Sequence, residues 1–173
     1  MAELAVKTDK NNDETDRIKE EPRGLRVKPI TNGTVIDHIA GGQALNVLKI
    51  LGISGTTGAT VSVVMNVESK KLGKKDIVKV EDRELREEEL DRIALIAPAA
   101  SINIIRNCKV IEKRPVDLPD EIVGVVRCQN PNCISNTHEP IKSRMLVKGK
   151  NPVSLRCLYC EQPLTERIAD YLI

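Results

Sequence analysis

Apolar and polar positions along residues 24–111 alternate with two periods, one of two residues and one close to 3.6. The period of two places successive side chains on opposite faces of a strand. The strands that it predicts occupy residues 25–30, 59–67, 76–81 and 101–105, with a short one at 108–111, and the apolar segment 34–39 follows the first. The longer period predicts two amphipathic helices, at residues 44–51 and 87–97.

The order of these segments predicts the fold of the first part of the chain. Strand, helix, strand, strand, helix, strand is the β-α-β-β-α-β order of ferredoxin-like folds, whose helices cover one face of the sheet. We expect residues 59–67 and 76–81 to pair as a hairpin, because a turn containing Gly73 separates them. The uncovered face of the sheet is then the candidate binding surface.

Composition divides the chain into three parts. Residues 1–23 are rich in charged residues, Asn and Thr and can bury little apolar surface, so we expect a disordered N-terminal tail. Residues 24–118 form the first domain, which ends in a linker at 115–119. Residues 119–173 form a second, mainly β domain, and a domain of about fifty residues needs a source of stability beyond its core.

Four cysteines in the second domain have the spacing of a metal site. Four residues separate Cys128 from Cys133, and two separate Cys157 from Cys160. Paired cysteines at these spacings are typical of a tetrahedral Zn²⁺ site. Four thiolates leave no open position for water or substrate, so we expect one structural zinc per chain, and a zinc-dependent hydrolase is disfavoured.

Charge and composition disfavour several other functions. Twenty-seven Lys and Arg against 25 Asp and Glu leave a net charge of +2, which does not indicate a nucleic-acid or membrane partner. Basic residues near the cysteines keep a zinc-ribbon RNA-binding protein as the alternative, although the chain has no Trp or Phe to stack on bases. We expect a cytoplasmic protein, because no apolar run is long enough for a membrane span and no secretory signal is evident. The unpaired fifth cysteine, Cys108, argues against a disulfide framework.

Three features of the first domain are candidates for chemistry. Asp37 and His38 are adjacent, but neighbours in a strand face opposite ways, so they suit the edge of a polar ligand site or a strand end better than a catalytic pair. Lys79, within a predicted strand, is either solvated or joins Lys113 in supplying positive charge for a triphosphate. The glycines of the segment Gly52–Gly58 follow a helix, whereas a phosphate-binding loop precedes one, so we interpret them as a cap and a turn.

Residues in both domains match a known family. The matching residues are Gly33-Thr34-Val35-Ile36-Asp37-His38-Ile39, Lys75-Asp76 with Lys79, Ala97-Pro98, and Cys128 through Cys133-Ile134-Ser135-Asn136 and Glu139-Pro140 to Cys157 and Cys160. With them the chain resembles the regulatory chain of aspartate carbamoyltransferase from about Gly24 to its end. Two positions depart from the family pattern: Cys108 stands where well-known members have Tyr, and Lys28 where some have an acidic residue.

The resemblance implies a non-catalytic, allosteric subunit of a pyrimidine-biosynthesis enzyme. Its α+β architecture would be a ferredoxin-like nucleotide-binding domain followed by a small, mainly β, four-cysteine zinc domain that docks onto the catalytic chain. Family members dimerise through the first domain and join catalytic trimers into a larger assembly. The implied effectors are the nucleoside triphosphates ATP, CTP and UTP, with no nucleic acid and no membrane among the partners.

The resemblance also implies an effector-binding site. Its residues, by matching position, are Val27, Ile30, Asp37, His38, Lys79, Asn103, Ile105, Val110 and Lys113. Asp37 and His38 would contact ribose and phosphate, Lys79 the base and ribose, and Lys113 the phosphates, while the remaining five would form the base pocket. An effector shifts an equilibrium only as far as it binds one state better than another. We expect this coupling to reach the second domain through the linker at 115–119, as the only connection between the two domains.

Overall fold

The computed structural model describes residues 29–54, 58–137 and 140–173, and two antiparallel sheets organise them. The strands of the larger sheet are β1 (Gly33–Ala40), β2 (Val61–Ser69), β3 (Gly73–Glu81), β4 (Ser101–Arg106) and β5 (Lys109–Pro115). Its two helices are α1 (Ala44–Ile50) and α2 (Glu87–Ile96). Neither helix in these described ranges is long and apolar enough to span a membrane.

The first domain has the predicted ferredoxin-like fold. Its elements follow in the order β1, α1, β2, β3, α2 and β4, and the sheet order β2-β3-β1-β4-β5 places β1 at the centre. The predicted hairpin of β2 and β3 is confirmed by their antiparallel pairing. The short segment predicted after β4 is a full edge strand, β5, which pairs with β4.

Part of the predicted N-terminal structure lies outside the described residues. This applies to the tail, residues 1–23, and to the predicted first strand except for Pro29 and Ile30. Neither of these two residues is in a strand, although Ile30 is buried. The sheet of the described chain therefore begins at β1, whose apolar segment 34–39 supplies the central strand.

Both helices pack against one face of the larger sheet and enclose an aliphatic core. Alternate residues of the strands point into it, since a strand directs successive side chains to opposite faces. The core residues are Ile36, Ile39, Val78, Val80, Ile102 and Ile104 from the strands and Ala44, Val47, Leu90, Ile93 and Ala97 from and beside the helices. Because the helices occupy this face alone, the opposite face of the sheet is open, as predicted.

Strand β3 lies between β1 and β2, and each of these two neighbours contains a β-bulge. The two bulges lie opposite the same part of β3. The register of β1 against β3 shifts between Ile36 and Ile39, and the register of β2 shifts between Val64 and Val67. A bulge inserts a residue into one strand, bends it and changes where the following side chains point. Both bulges therefore alter the simple alternation of these strands.

The buried side chain of Asp76, on β3, connects one of these bulges to helix α1. Its carboxylate accepts a hydrogen bond at 2.8 Å from the backbone N–H of Asn66, in the bulge of β2, and one at 3.0 Å from the N–H of Ala44. Ala44 is the first residue of α1, and the N-cap residue Gln43 makes no capping hydrogen bond with its own side chain. A distant strand thus supplies the acceptor that a helix N-terminus needs.

The second domain is built on the smaller sheet, in the order β6-β7-β8-β9. Its strands are β6 (Glu121–Val123), β7 (Arg144–Lys150), β8 (Val153–Cys157) and β9 (Pro163–Leu164). Two 3₁₀ turns, Ile134–Asn136 and Ile168–Tyr171, complete it, so the predicted mainly β character is confirmed. The core includes Ile122, Val126, Met145, Leu155 and Leu164 together with three of the four cysteines.

Helix α2 belongs to the cores of both domains. Leu90 and Ile93 pack in the first core, whereas Ala94 and Leu95 pack in the second. The expectation that the linker at 115–119 is the only connection between the domains is therefore wrong. The sequence pattern had assigned α2 a single apolar stripe, but its neighbouring residues at 93–95 are all buried because the second domain covers a further side of the helix.

We expect Asp76→Ala to destabilise the first domain by roughly 2 to 4 kcal/mol, because it leaves the N–H groups of Ala44 and Asn66 without their acceptor. Denaturant unfolding measures the change. Asp120→Ala is the control, since it removes the same charge from an exposed side chain. Equal stability of the two variants would contradict the structural role of Asp76.

Candidate functional site

The four cysteines of the second domain meet beside the end of β8. Cys157 is the last residue of that strand, and Cys160 follows in the next turn. Cys128 comes after β6, and Cys133 directly precedes the first 3₁₀ turn. Cys160 is partly exposed and the other three are buried, so the cluster forms one wall of the domain core.

The separations of the sulfur atoms suit a metal ion. All four Sγ atoms lie within 4.8 Å of one another, with 3.5 Å between Cys128 and Cys160 and 3.7 Å between Cys133 and Cys157. Four sulfurs about 2.3 Å from a central zinc ion would be roughly 3.8 Å apart. A disulfide needs about 2.05 Å, so these distances fit a shared metal and not sulfur–sulfur bonds.

The pKa values of the thiols make metal binding at the cluster dependent on pH. Burial is the main effect that raises the pKa of Cys128 and of Cys157. The pKa of Cys160 is lowered to about 7, first by the backbone N–H of Gln162. Buried thiols lose their protons when a divalent ion takes their place, so metal affinity should increase with pH.

Hydrogen bonds around the cysteines hold the loops in the required shape. The side-chain amide of Asn136 donates to the carbonyls of Cys128 and Asn130, at 2.8 and 2.7 Å. The hydroxyl of Ser135 lies 3.3 Å from the sulfur of Cys133. Contacts of this kind orient metal ligands, and they show that the first cysteine loop is organised around its sulfur atoms.

The open face of the larger sheet brings several predicted effector residues into one row. Val35 on β1 pairs with Lys79 on β3 and with Asn103 on β4, and Asn103 pairs with Lys113 on β5. Residues directly opposite each other in antiparallel strands point to the same face. Lys79, Val35, Asn103 and Lys113 therefore cross the sheet in line on its open side.

A cavity of about 370 Å³ lies on the same face. It is lined by Pro29, Ile30, Val35, Lys79, Asn103, Ile105, Cys108 and Val110. Five of the nine predicted effector residues are among them, namely Ile30, Lys79, Asn103, Ile105 and Val110. Asp37, His38 and Lys113 do not line this cavity, and Val27 lies outside the described residues.

The bulge in β1 brings Asp37 and His38 together, contrary to the expected alternation. His38 has a left-handed backbone with φ of 60°, and its Nδ1 lies 3.3 Å from the carboxylate of Asp37. The same ring nitrogen is 3.4 Å from the hydroxyl of Ser101, which pairs with Asp37 across β1 and β4. Their expected placement on opposite faces is wrong, because the extra residue of the bulge turns both side chains to one side.

Lys75 was not among the predicted site residues, yet it contacts one of them. Its Nζ donates to both carboxylate oxygens of Asp37, at 2.8 and 3.1 Å. Burial alone would raise the pKa of Asp37, but the hydrogen bonds from Lys75 and from the backbone N–H of His38 lower it on balance. Lys75 could have been found from its spacing, since it shares the period of two with Ile77 and Lys79.

Two family models match the two domains of the chain. A family model described as aspartate carbamoyltransferase regulatory chain, allosteric domain, matches residues 25–117. A second model, described as the metal binding domain of the same regulatory chain, matches residues 120–170. Together the two models span most of the chain, and the second contains all four cysteines.

Individual relatives match over nearly their whole length. The aspartate carbamoyltransferase regulatory chain of Methanothrix thermoacetophila is 78% identical over 151 residues, which cover 87% of this chain and 98% of the relative. That of Methanoculleus marisnigri is 59% identical over 155 residues, covering 90% and 98%. That of Thermofilum pendens is 55% identical over 152 residues, covering 87% and 96%.

Replacing Cys157 by Ser should abolish stable metal binding and unfold the second domain, because structural metal binding in small domains is a large part of their folding free energy. Elemental analysis should find about one metal ion per chain in the wild type and under about a tenth in the variant. Cys108→Ser is the matched control, since Cys108 is exposed in the turn after β4 and outside the cluster. Equal metal content in both variants would refute the four-cysteine site.

Proposed function

The chain belongs to the family of aspartate carbamoyltransferase regulatory chains, which are non-catalytic, and from this premise we propose that it binds nucleoside triphosphates and transmits their binding to catalytic chains in pyrimidine biosynthesis. The observation that most supports the proposal is the open sheet face. Two lysines, an amide and an apolar cavity stand there together on the domain that matches the allosteric model.

The polar groups of this face suit the phosphates and ribose of a nucleotide. Lys79 and Lys113 supply positive charge at two positions of one row, with Asn103 between them. Ammonium groups bind phosphates as point charges. A carboxylate only accepts hydrogen bonds, so Asp37 suits a ribose hydroxyl, and His38 beside it suits a phosphate.

The cavity suits the base of the nucleotide. Its walls are mainly aliphatic, with Ile30, Val35, Ile105 and Val110 around it, and a volume of about 370 Å³ is within the range of small-molecule sites. Backbone groups of these residues can form hydrogen bonds with the edge of a base, so recognition of the base does not require an aromatic side chain. We therefore assign the nine predicted residues to one effector site for ATP, CTP and UTP, with Val27 included by its position in the sequence.

We propose that the metal of the second domain is zinc and that its loops dock onto the catalytic chain. The cysteine loops expose apolar side chains, with Ile134 at 47% and Leu158 and Tyr159 at 39% each. Exposed apolar groups clustered on two adjacent loops are typical of a protein interface. Zinc would hold both loops in one arrangement without taking part in chemistry.

We include the predicted domain bounds, localisation and homodimer in the same proposal. Residues 24–118 are the allosteric domain, 119–173 the zinc domain, and the chain is cytoplasmic. A homodimer through the allosteric domain is supported by apolar side chains on the outer strands of its sheet, such as Val63 on β2 and Ile111 on β5, which are 37% and 52% exposed. Exposed edge strands with apolar residues favour pairing with a partner.

The shared helix supports a path between the two proposed sites. Helix α2 packs with Leu90 and Ile93 under the sheet whose other face has the effector residues, and with Ala94 and Leu95 in the core of the zinc domain. A change in the sheet can therefore reach the zinc domain through side-chain contacts as well as through the linker. Allosteric coupling of this kind is usually about 1 to 3 kcal/mol.

Removing the metal should separate the chain from its catalytic partner and leave that partner active. A mercurial reagent that displaces zinc from the thiolates is the treatment, and size-exclusion chromatography with an activity assay is the measurement. The loops that present Ile134 and Leu158 lose their support when the metal leaves. An assembly that persists after elemental analysis shows the metal to be gone would contradict the docking proposal.

Lys79→Ala and Lys113→Ala should each weaken ATP and CTP binding by roughly ten- to a hundredfold, because a hydrogen bond to a charged group contributes about 1.5 to 3 kcal/mol. Isothermal titration calorimetry measures the affinity, and assembly size should not change. Lys49→Ala is the control, since Lys49 is an exposed lysine at the end of α1 on the covered side of the sheet. Unchanged affinity in the first two variants would remove these lysines from the site.

A further inference from the structure

The four cysteines of the cluster differ in their access to solvent. Cys128 and Cys133 are each 2% exposed and Cys157 is fully buried, whereas Cys160 is partly exposed. A metal site holds such ligands as thiolates, which is the form of sulfur that reacts with oxidants. Because burial shields a thiolate from oxidants, Cys160 is the ligand that an oxidant would reach first.

Cys128 is well placed to react with an oxidised Cys160. The two Sγ atoms lie 3.5 Å apart, although the residues are 32 positions apart in the sequence. Cys128 also lines a cavity of about 330 Å³, together with Arg127 and Tyr171, so a small oxidant has room beside this pair. A disulfide needs a separation of about 2.05 Å, which a small movement of the two loops would provide.

The other two cysteines form a better protected pair. The Sγ atoms of Cys133 and Cys157 lie 3.7 Å apart, and both residues are buried. The hydroxyl of Ser135 lies 3.3 Å from the sulfur of Cys133. Neither cysteine lines the cavity beside Cys128. The cluster therefore consists of an accessible pair, Cys128 with Cys160, and a protected pair, Cys133 with Cys157.

We propose that the accessible pair is an oxidation site: a peroxide converts Cys128 and Cys160 to a disulfide, and the structural metal then leaves the cluster. The protected pair supplies only two thiolates, which do not complete a closed four-coordinate site. The inference rests on the proposed structural metal and does not depend on the proposed nucleotide site.

The reaction balances with hydrogen peroxide as the oxidant. The thiolate sulfur of Cys160 attacks a peroxide oxygen, so that an S–O bond forms, the O–O bond breaks and the departing hydroxide takes up a proton. The thiolate of Cys128 then attacks the sulfur of this sulfenic acid, so that the S–S bond forms and the S–O bond breaks. The second hydroxide also takes up a proton. Two thiolates thereby lose two electrons, and the peroxide is reduced to two molecules of water.

Oxidation of this pair would act on the loops that we propose to dock onto the catalytic chain. Cys160 directly follows Leu158 and Tyr159, and the loop that begins at Cys128 leads to Ile134. Both loops lose the support of the metal when it leaves. We therefore expect oxidation to weaken docking, as the mercurial reagent does, and reduction followed by added zinc to restore it.

Peroxide treatment of the full-length, metal-loaded chain tests the site. Cys108→Ser is the background for every sample, since Cys108 is exposed and lies outside the cluster. Hydrogen peroxide should release about one metal ion per chain, measured with a chromogenic chelator. Peptide mapping by mass spectrometry without reduction should find a disulfide between Cys128 and Cys160. A dithiol should remove this disulfide, and added zinc should then bind again.

Two exchanges of a single ligand identify the reactive sulfur. Histidine can replace cysteine in a closed zinc site, but it cannot form a disulfide. Cys160→His should therefore slow the release of metal at least about tenfold. Cys133→His is the matched control in the protected pair, and its release rate should stay within about twofold of the background. Elemental analysis before treatment identifies a variant that does not hold the metal, and the mapping of the background chain needs neither variant.

The outcomes separate this inference from the proposal on which it rests. A disulfide between Cys157 and Cys160, or equal slowing in both histidine variants, would overturn the assignment to Cys128 and Cys160 while leaving the metal site intact. A chain that keeps its metal in peroxide would overturn the oxidation site as a whole. A background chain that is purified without metal would overturn the proposed structural metal, and the inference with it.

Discussion

The carboxylate of Asp76 connects strand β3 with strand β2 and helix α1, and these contacts fix the part of the sheet that forms the open face. It lies on the helix side of β3, where it binds the first N–H of α1 and an N–H in the bulge of β2. Asp76 also pairs with Ile39, immediately after the bulge of β1 that contains His38. A buried acceptor with two fixed donors permits few alternative arrangements, because breaking either bond leaves a buried polar group unsatisfied. A residue on the covered side of the sheet thereby helps to determine the shape of the strands that form the open face.

The second domain depends on a different constraint, the convergence of four thiols from two loops. Its sheet is small, and three of the four cysteines are part of its core. The domain is not independent of the first, since α2 contributes Ala94 and Leu95 to the same core. Metal binding and the packing of α2 therefore stabilise one unit. A structural change in the larger sheet would affect the second domain only if α2 had two arrangements that differ in their contacts with that domain.

Elements with strong local patterns could be predicted from the sequence, and features set by distant contacts could not. Strand β3 alternates cleanly, and the cysteine spacings are local, so the hairpin, the ferredoxin-like order and the metal cluster were all predictable. The bulges were not, because a bulge depends on contacts between residues that are distant in the sequence: in β2, the backbone N–H of Asn66 donates to the carboxylate of Asp76, 10 positions away. Because the bulge of β1 was not predicted, Asp37 and His38 were expected on opposite faces, and Lys75, although part of the matching motif, was not expected to contact Asp37. The second apolar side of α2 was missed for a similar reason, since only the folded second domain covers it.

The composition of the open face supports the proposed nucleotide ligand over a simple anion. Lysines alone would bind any phosphate, and an aliphatic cavity alone would accept any small apolar group. Here Lys79, Val35 and Asn103 of one row line the cavity. A carboxylate able to accept hydroxyl hydrogen bonds, that of Asp37, stands on the same strand as Val35. A ligand that uses all three features would combine negative charge, a hydroxyl donor and a largely apolar group of limited size. Because each feature excludes ligands that the others would admit, selectivity can arise from their spacing without any aromatic side chain.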